Sequence, residues 1–398
     1  MHRFSGRGVG VAICHERYEP TRMPIAYVRA QLRDCFTTNV IRFDYCSGHF
    51  FPLSVFKYNL SQDSRYRQRM EFAIHQHPLT CTAPSGDNLP MAFLVVGLNP
   101  VIQKTISLEK FHQDGHSTVQ WSRTDAAGQG ANTTRILHQL GEEAVNLCQL
   151  GEDEAPQFLR LTGSDDLDIQ WIPSPGGIRN CHTILDSSTG EITELVEEGV
   201  PVPPEVEDAL RRRYLELLPG IDWVIVTGSK APGFTPEVIP FLVETARKAG
   251  KRIGLDIRGA DLKAALPFEP DLVKINVPEF IATFFSGRQA LEQGIDAEEE
   301  ALVQTELAAL TTTTSTVYAL THGKNASFLA SAGTVNRVPV QLVPVKNTIG
   351  CGDSTMAGTA AGLHAGKSLV DALLLGHDCA ARNAQVFKPA SLYEIPAS

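Results

Sequence analysis

The chain has 398 residues, 43% of them hydrophobic and 20% charged, with a formal net charge of −10. This is the composition of a globular protein; the acidic balance argues against general nucleic-acid binding, which needs a basic face, and no apolar run approaches the roughly 20 residues that span a bilayer. Eight cysteines without a C-x-x-C pair speak against a zinc site or a disulfide framework and point to reduced thiols in a cytoplasm. The N-terminus lacks the apolar core of a signal peptide, so export is not expected.

Residues 1–90 stand apart. They hold 11 Lys and Arg against 7 Asp and Glu, and Lys57 is the one lysine among them. Four of the eight cysteines fall here too, with no sustained helical or alternating period. A basic interaction arm, a small extra domain, and a stretch translated from a start codon placed too early all fit this composition. The last is favoured: a poorly ordered or mis-assigned N-terminal extension over 1–90, because the Arg residues are spread and Met91 directly precedes a core-strand pattern. No chemistry is assigned to it.

From 91 to 398 short apolar runs alternate with helix-like segments, the sign of βαβ units and a mostly parallel sheet. Ala92–Val96 reads as the first strand. Ser117–Arg123 alternates and is β-branched. Asn132–Leu140 reads as a helix opening on a glycine turn and closed by Gly141. Ile169–Val196 alternates again, with a turn at Ser187–Gly190. Trp223–Val226, Arg252–Leu255 and Leu272–Ile275 are short enough for strands buried on both faces, separated by helices over Pro236–Lys248 and from Pro278. Thr311–Thr314 reads as a loop before a strand at Val317–Leu320. Two last helices are expected over Asp353–Ala365 and Leu369–Val386. The two alternating stretches, 117–123 and 169–196, either form a small sheet that closes over a ligand as a lid or extend one edge of the main sheet.

Four pieces carry polar and glycine-rich chemistry: Ala126–Asn132, Gly228–Gly233, Lys274–Glu279 and Asn347–Leu363. In a doubly wound sheet all four lie outside the carboxyl ends of the strands, where ligands gather. The last reads N-T-I-G-C-G-D-S-T-M-A-G-T-A-A-G-L and places Asp353 where a glycine turn opens into a helix. A helix start has unpaired N–H groups and partial positive charge, which suit an anion. An aspartate there either caps the helix or serves chemistry beside that anion.

Taken together, the motifs resemble the ribokinase-like carbohydrate kinases of the phosphofructokinase B type. Within these the chain is most similar to the 1-phosphofructokinase and tagatose-6-phosphate kinase branch, over about Ala92–Val386. The resemblance rests on G-L-N-P-V-I-Q-K-T at 97–105, A-G-Q-G-A-N-T-T-R-I-L at 127–137, R-N-C at 179–181 and T-E-L-V-E-E-G at 193–199. It continues in G-S at 228–229, K-I-N-V-P-E at 274–279 and T-I-G-C-G-D-S-T-M-A-G at 348–358. It implies a three-layer α/β/α sandwich with a small β-sheet lid, which in the family often makes a homodimer. It also implies ATP and Mg²⁺, and phosphoryl transfer to a hydroxyl of a phosphorylated ketohexose of the fructose 1-phosphate or tagatose 6-phosphate type.

The resemblance assigns roles as well. Asp353 is the base that takes the sugar hydroxyl's proton, and the backbone N–H groups of Gly350, Cys351 and Gly352 form an anion hole for the transferred group. Asn276 and Glu279 organise Mg²⁺ and its waters, while Lys274, Gly323 and Thr348 lie on the nucleotide side. For Lys274 a strand-end surface lysine is an equal reading. Asn99, Gln103, Gly128, Gln129, Gly130, Asn132 and Arg179 face the sugar, with Arg179 on the substrate's phosphate. The chain departs from the branch at Gln103, where Asp is usual, and at Gln129, where Lys is usual. Lys230 also stands where the family favours Leu, and is expected to return some of the positive charge lost at Gln129. Two alternatives stay open: a kinase of an unphosphorylated sugar or nucleoside, and a catalytically silent sugar or nucleotide sensor. A dehydrogenase is disfavoured, since no G-x-G-x-x-G turn follows the first strand.

Overall fold

A computed structural model describes residues 27–31, 40–46, 56–57, 91–285, 287 and 295–394. The chain divides into two units, Met1–Ser85 and Gly86–Ser398. In the first, strands β1 (Tyr27–Gln31), β2 (Val40–Cys46) and β3 (Phe56–Lys57) form an antiparallel sheet in that order, strands that the sequence does not announce by alternation. The rest of 1–90, and with it the expectation of a poorly ordered or mis-assigned start, lies outside the described residues.

The second unit is built on a nine-stranded sheet. Its strands are β4 (Met91–Gly97), β7 (Ala144–Gly151), β8 (Asp168–Ser174), β11 (Ile221–Thr227), β12 (Arg252–Asp256), β13 (Leu272–Asn276), β14 (Val317–His322), β15 (Asn325–Ser331) and β16 (Thr334–Val338). The order is β16-β15-β14-β13-β12-β11-β4-β7-β8. All neighbours from β14 to β8 are parallel, and β15 and β16 run antiparallel at one edge.

The apolar runs are continuous because both faces are covered. Along β4 and β11, Leu94, Val96, Val224 and Val226 point to one layer, and Phe93, Val95, Trp223 and Ile225 to the other. The first layer holds α3 (Pro204–Leu217), α4 (Val238–Lys248), α5 (Gly259–Ala265), α6 (Val277–Phe284) and α7 (Ala297–Thr312). The second holds α1 (Gln129–Gln139), α8 (Cys351–His364) and α9 (Leu369–Ala384). Each large apolar side chain so buried contributes roughly 1.5–3 kcal/mol. Helix α2 (Ala155–Gly163) adds Phe158 to a third cluster with Ile102 and Ala126. This is the three-layer α/β/α sandwich expected from the sequence.

The small-residue run after Asp353 has a packing cause. A Cβ on Gly358 would lie 2.8 Å from the Cα of Gly376, and one on Gly362 2.8 Å from the Cα of Ala372. Only small side chains let α9 lie this close to α8.

A separate four-stranded sheet contains β5 (Val101–Leu108), β6 (Val119–Ala127), β9 (Arg179–Asp186) and β10 (Ile192–Val196), ordered β10-β9-β5-β6. Residues 168–174 do not belong to it. They pair in parallel with β7 as the edge of the large sheet; an edge strand is half exposed, so it shows the same alternation as a lid strand. The Thr311–Thr314 loop is also corrected, because α7 runs on through Thr312. There the hydroxyls of Thr311 and Thr312 donate to the carbonyls of Leu307 and Ala308 at 2.8 and 2.7 Å, so the turn absorbs their polarity. No helix among the described residues is long and apolar enough to cross a membrane.

Candidate active site

The carboxyl ends of β4, β11, β12 and β13 converge with the starts of α1, α6 and α8, and the polar motifs sit there. The junction at α8 is shaped by Gly350, whose φ is +84° and whose Cβ, if present, would lie 2.5 Å from the backbone N of Ala390. Only glycine meets both demands. The Cys351 N–H donates to the Thr348 carbonyl at 3.2 Å, while the N–H groups of Gly350, Gly352 and Asp353 have no backbone acceptor among the described residues. Three donors therefore stand at the positive end of α8. Cys351, expected among the anion-hole donors, instead closes the turn. Its Sγ accepts from Asn383 Nδ2 at 3.2 Å, and burial pushes the thiol's pKa up, so it packs as a neutral group.

Asp353 is buried, and its Oδ2 accepts from Asn132 Nδ2 at 2.8 Å. Burial pushes its pKa above the usual carboxylate value, against the opposing pull of Asn132, Lys274, Gln129 and Arg135. Lys274 is not a surface lysine. It is 3% exposed, and its Nζ lies 3.0 Å from Asp256 Oδ2. A Cβ on Gly352 would come within 2.9 Å of that ammonium, so Lys274 lies against the first turn of α8. Burial works against its charge, but the carboxylates of Asp256 and Asp353 outweigh it and hold its pKa up.

Asp256 escaped the sequence reading, since a lone Asp ending a strand carries no motif. Burial lifts its pKa to about 6, with the charges of Asp353 and Glu279 adding and Lys274 opposing.

Asn276 and Glu279 close a capping box on α6. The Glu279 N–H donates to Asn276 Oδ1 at 2.8 Å, and the Asn276 N–H to Glu279 Oε2 at 3.1 Å. Arg258 Nη1 lies 3.2 Å from Glu279 Oε1. Among the described residues no three His, Cys, Asp or Glu side chains are grouped to hold a metal. This donor set fits an ion such as Mg²⁺, which keeps several waters and leans on phosphates, better than a protein-caged metal. Gly323, at φ +54°, forms with Lys324 the two-residue turn between β14 and β15, and Thr348 is exposed.

Between the small sheet and α1 lies a cavity of about 220 Å³, lined by Asn99, Gln103, Gly128, Gln129, Gly130, Asn132, Arg179 and Asp353. Glu194 and Ser229 line it too; they lie in the T-E-L-V-E-E-G and G-S motifs, to whose side chains the sequence analysis gave no role. Gly97 and Gly130 let β4 and α1 meet: a Cβ on Gly97 would lie 2.8 Å from the Cα of Gly130. Asn99 Nδ2 donates to Ser229 Oγ at 3.1 Å, and Gln103 Nε2 to Thr183 Oγ1 at 2.7 Å.

Arg179 is the one cationic side chain among the lining residues, and its Nε is buried without a hydrogen-bond partner. Burial raises the pKa of Glu194, and Arg179 opposes that rise. Lys230 does not join this cavity. Its Nζ lies 2.6 Å from Asp261 Oδ1 on α5, so its charge is already matched and cannot replace the one lost at Gln129.

Sequence and structure comparisons identify relatives of the chain and of its fold. The profile of the pfkB family carbohydrate kinases matches residues 95–395. A 1-phosphofructokinase of Rhodobacter capsulatus is 32% identical over 311 residues, which cover 77% of this chain and 92% of that protein. The crystal structure of phosphofructokinase-2 from Escherichia coli in complex with fructose-6-phosphate superposes with a TM-score of 0.65 at 19% identity, covering 74% of this chain and 94% of that one. A tetrameric inhibited form of the same Escherichia coli enzyme gives the same values.

Proposed function

We propose that this chain, which belongs to the pfkB family of carbohydrate kinases, transfers the γ-phosphoryl group of ATP to a hydroxyl of a phosphorylated ketohexose, with fructose 1-phosphate the leading acceptor. As a family member it is a phosphotransferase with an alcohol as acceptor. The observation that carries the narrower reading is a single cavity lined both by a buried carboxylate, Asp353, and by Arg179, whose guanidinium Nε–H is unpartnered. A buried donor with no partner costs stability, and a substrate phosphate would satisfy it with a charge-assisted bond.

Each group then has a role. Asp353, whose pKa burial raises against the pull of Asn132 and Lys274, takes the proton in its carboxylate form as the sugar oxygen attacks. The N–H groups of Gly350, Gly352 and Asp353 meet charge on the transferred phosphoryl oxygens. Lys274 lies beside that turn and adds positive charge. Asn132 and Gln129 hold the base, and Asn99 and Gln103 offer hydrogen bonds to sugar hydroxyls. Mg²⁺, bound with ATP, would neutralise phosphate charge, with Asn276, Glu279 and Asp256 the residues near enough to order its waters. Exposed apolar side chains on the small sheet, Val119 at 50% and Leu195 at 54%, suit a second copy of the chain as partner.

The test is ADP release with ATP and Mg²⁺ across fructose 1-phosphate, fructose 6-phosphate, tagatose 6-phosphate, fructose, ribose and adenosine. Saturable turnover confined to phosphorylated ketoses is expected. One observation favours a second reading: with Lys230 paired to Asp261, Arg179 alone would face a substrate phosphate. Turnover confined to fructose, ribose or adenosine would establish that reading, a kinase of neutral acceptors.

A further inference from the structure

We infer that Arg135 is a positioning residue for the base: it fixes the side-chain amide of Asn132 so that this amide donates to Asp353, and a buried run of charges anchors it there. The inference deepens the proposed reading, in which Asp353 is the base.

The geometry leaves Asn132 one orientation. Arg135 Nη1 lies 3.0 Å from the Asn132 side-chain oxygen, and Asn132 Nδ2 lies 2.8 Å from Asp353 Oδ2. A guanidinium has donors and no acceptor, so the Asn132 atom facing it must be Oδ1. That sends Nδ2 toward Asp353, which when ionised can only accept. Without Arg135 the orientation would rest on Asp353 alone, and would be lost whenever Asp353 is protonated and can itself donate. Arg135 sits one helical turn beyond Asn132 on α1, the spacing that stacks two side chains on one face.

Arg135 itself is held on every side. It is 1% exposed; its Nε lies 2.7 Å from Asp165 Oδ2, Nη2 reaches the Ala126 carbonyl at 2.5 Å, and Nη1 also reaches that of Pro389 at 3.3 Å. Asp165 pairs in addition with Lys388, which lies 3.8 Å from Asp125, and Asp125 lies 2.7 Å from Arg123. All five of these charged side chains are 6% exposed or less. The run links β6 of the small sheet, the loop after α2 and the C-terminal segment, whose Ala390 also packs against Gly350. A guanidinium with several donors in a fixed fork is the group that can bridge Asp165 and Asn132 at once; an ammonium is a point charge.

Arg135→Lys tests this, read first by the titration of Asp353 in ¹³C-carboxylate NMR, with Asp353→Asn assigning the signal. The groups acting on Asp353 are Asn132, Gln129 and Arg135 from α1, Lys274 from β13, Asp256 from β12, Glu194 from β10 and Cys351 on its own helix. Of these Arg135→Lys touches only the α1 set. A midpoint moved to higher pH is expected, because a freed Asn132 amide no longer always donates. On the acceptor that the native chain phosphorylates, kcat should fall about ten- to a hundredfold with both KM values within about threefold, as a misplaced base requires.

Asp165→Asn is the control, since it removes the charge of the buried pair but keeps an amide oxygen to accept from Arg135 Nε, so the Arg135–Asn132 bond is retained. It should lower Tm and leave the Asp353 midpoint where it was. An unmoved midpoint in Arg135→Lys, or an equal displacement in Asp165→Asn, overturns the inference. If the native chain phosphorylates no acceptor, the proposed function fails, while the NMR titration still decides the role of Arg135.

Discussion

Replacing Arg179 with Gln separates binding of a substrate phosphate from stability, because the two should respond with opposite signs. In the folded chain Arg179 Nε is buried and unpartnered, and an orphaned polar group of this kind costs about 1–3 kcal/mol. Removing it should leave Tm unchanged or raise it by a few degrees, since 1 kcal/mol moves Tm by roughly 2–4 °C in a domain somewhat smaller than this one. With a phosphorylated acceptor the variant loses at least one charge-assisted bond, worth about 1.5–3 kcal/mol. At about 1.4 kcal/mol per factor of ten, KM for fructose 1-phosphate should rise roughly ten- to a hundredfold, with kcat little changed. KM for ATP, and for fructose if it is used at all, should stay within about twofold. Initial rates of ADP release on both acceptors, with a thermal melt of each protein, give the answer. A lower Tm with an unchanged KM would show that Arg179 is a structural residue, and the phosphate assignment would fall with it.

Asp353→Asn keeps the Asn132 contact through its Oδ1 but cannot take a proton, so turnover should drop by about 10²–10⁴ or more, with ATP affinity nearly intact by calorimetry; near-native turnover would remove Asp353 as the base. Gly350→Ala must place a side chain at φ +84°, 2.5 Å from the Ala390 nitrogen. Left-handed strain alone costs roughly 1–2 kcal/mol, so Tm should fall by several degrees and kcat with it as the start of α8 moves; a native melt and rate would show the turn to be tolerant. Lys230→Ala breaks a partly exposed pair with Asp261, worth about 0.2–1 kcal/mol. KM for every phosphorylated acceptor should stay within about twofold, and a larger rise would restore Lys230 to the substrate site.

The central strands and the glycine turns were legible because each is dictated by local residues. Continuous runs such as W-V-I-V can be buried only between two layers, and G-C-G-D needs a left-handed residue before a helix start. Strand β7, Ala144–Gly151, went unread although it lies next to β4 in the sheet: Asn146 and Gln149 interrupt its apolar run, and Asn146 is accommodated by donating to the Val95 carbonyl at 3.0 Å. Asp256, Asp165 and Lys388 were invisible for a different reason. Each is a lone charged residue whose meaning comes from partners far away in sequence, as when Lys388 meets Asp165 across 223 positions. Lys230 shows the converse error: its place in the chain suggested the sugar, and Asp261, 31 residues on, captures it.

The two amides that depart from the family pattern can now be weighed against charge and polarity together. The branch usually carries Asp at position 103 and Lys at 129, so the exchange to Gln103 and Gln129 removes one charge of each sign and leaves the net charge of the cavity unaltered. With Arg179, Glu194 and Asp353 as its charged lining, that net charge is −1 when both carboxylates are ionised. Hydrogen-bond polarity also survives. Gln103 spends its Nε2 on Thr183, which leaves Oε1 as an acceptor, the capacity a carboxylate would have had there. Gln129 helps hold the pKa of Asp353 down, the direction in which a lysine would act. What the exchange does remove is the second cation for a substrate phosphate, so under the proposed function affinity for that group would rest on Arg179 alone. The same fold and base can thus be kept while preference between phosphorylated and neutral acceptors comes to depend on one side chain.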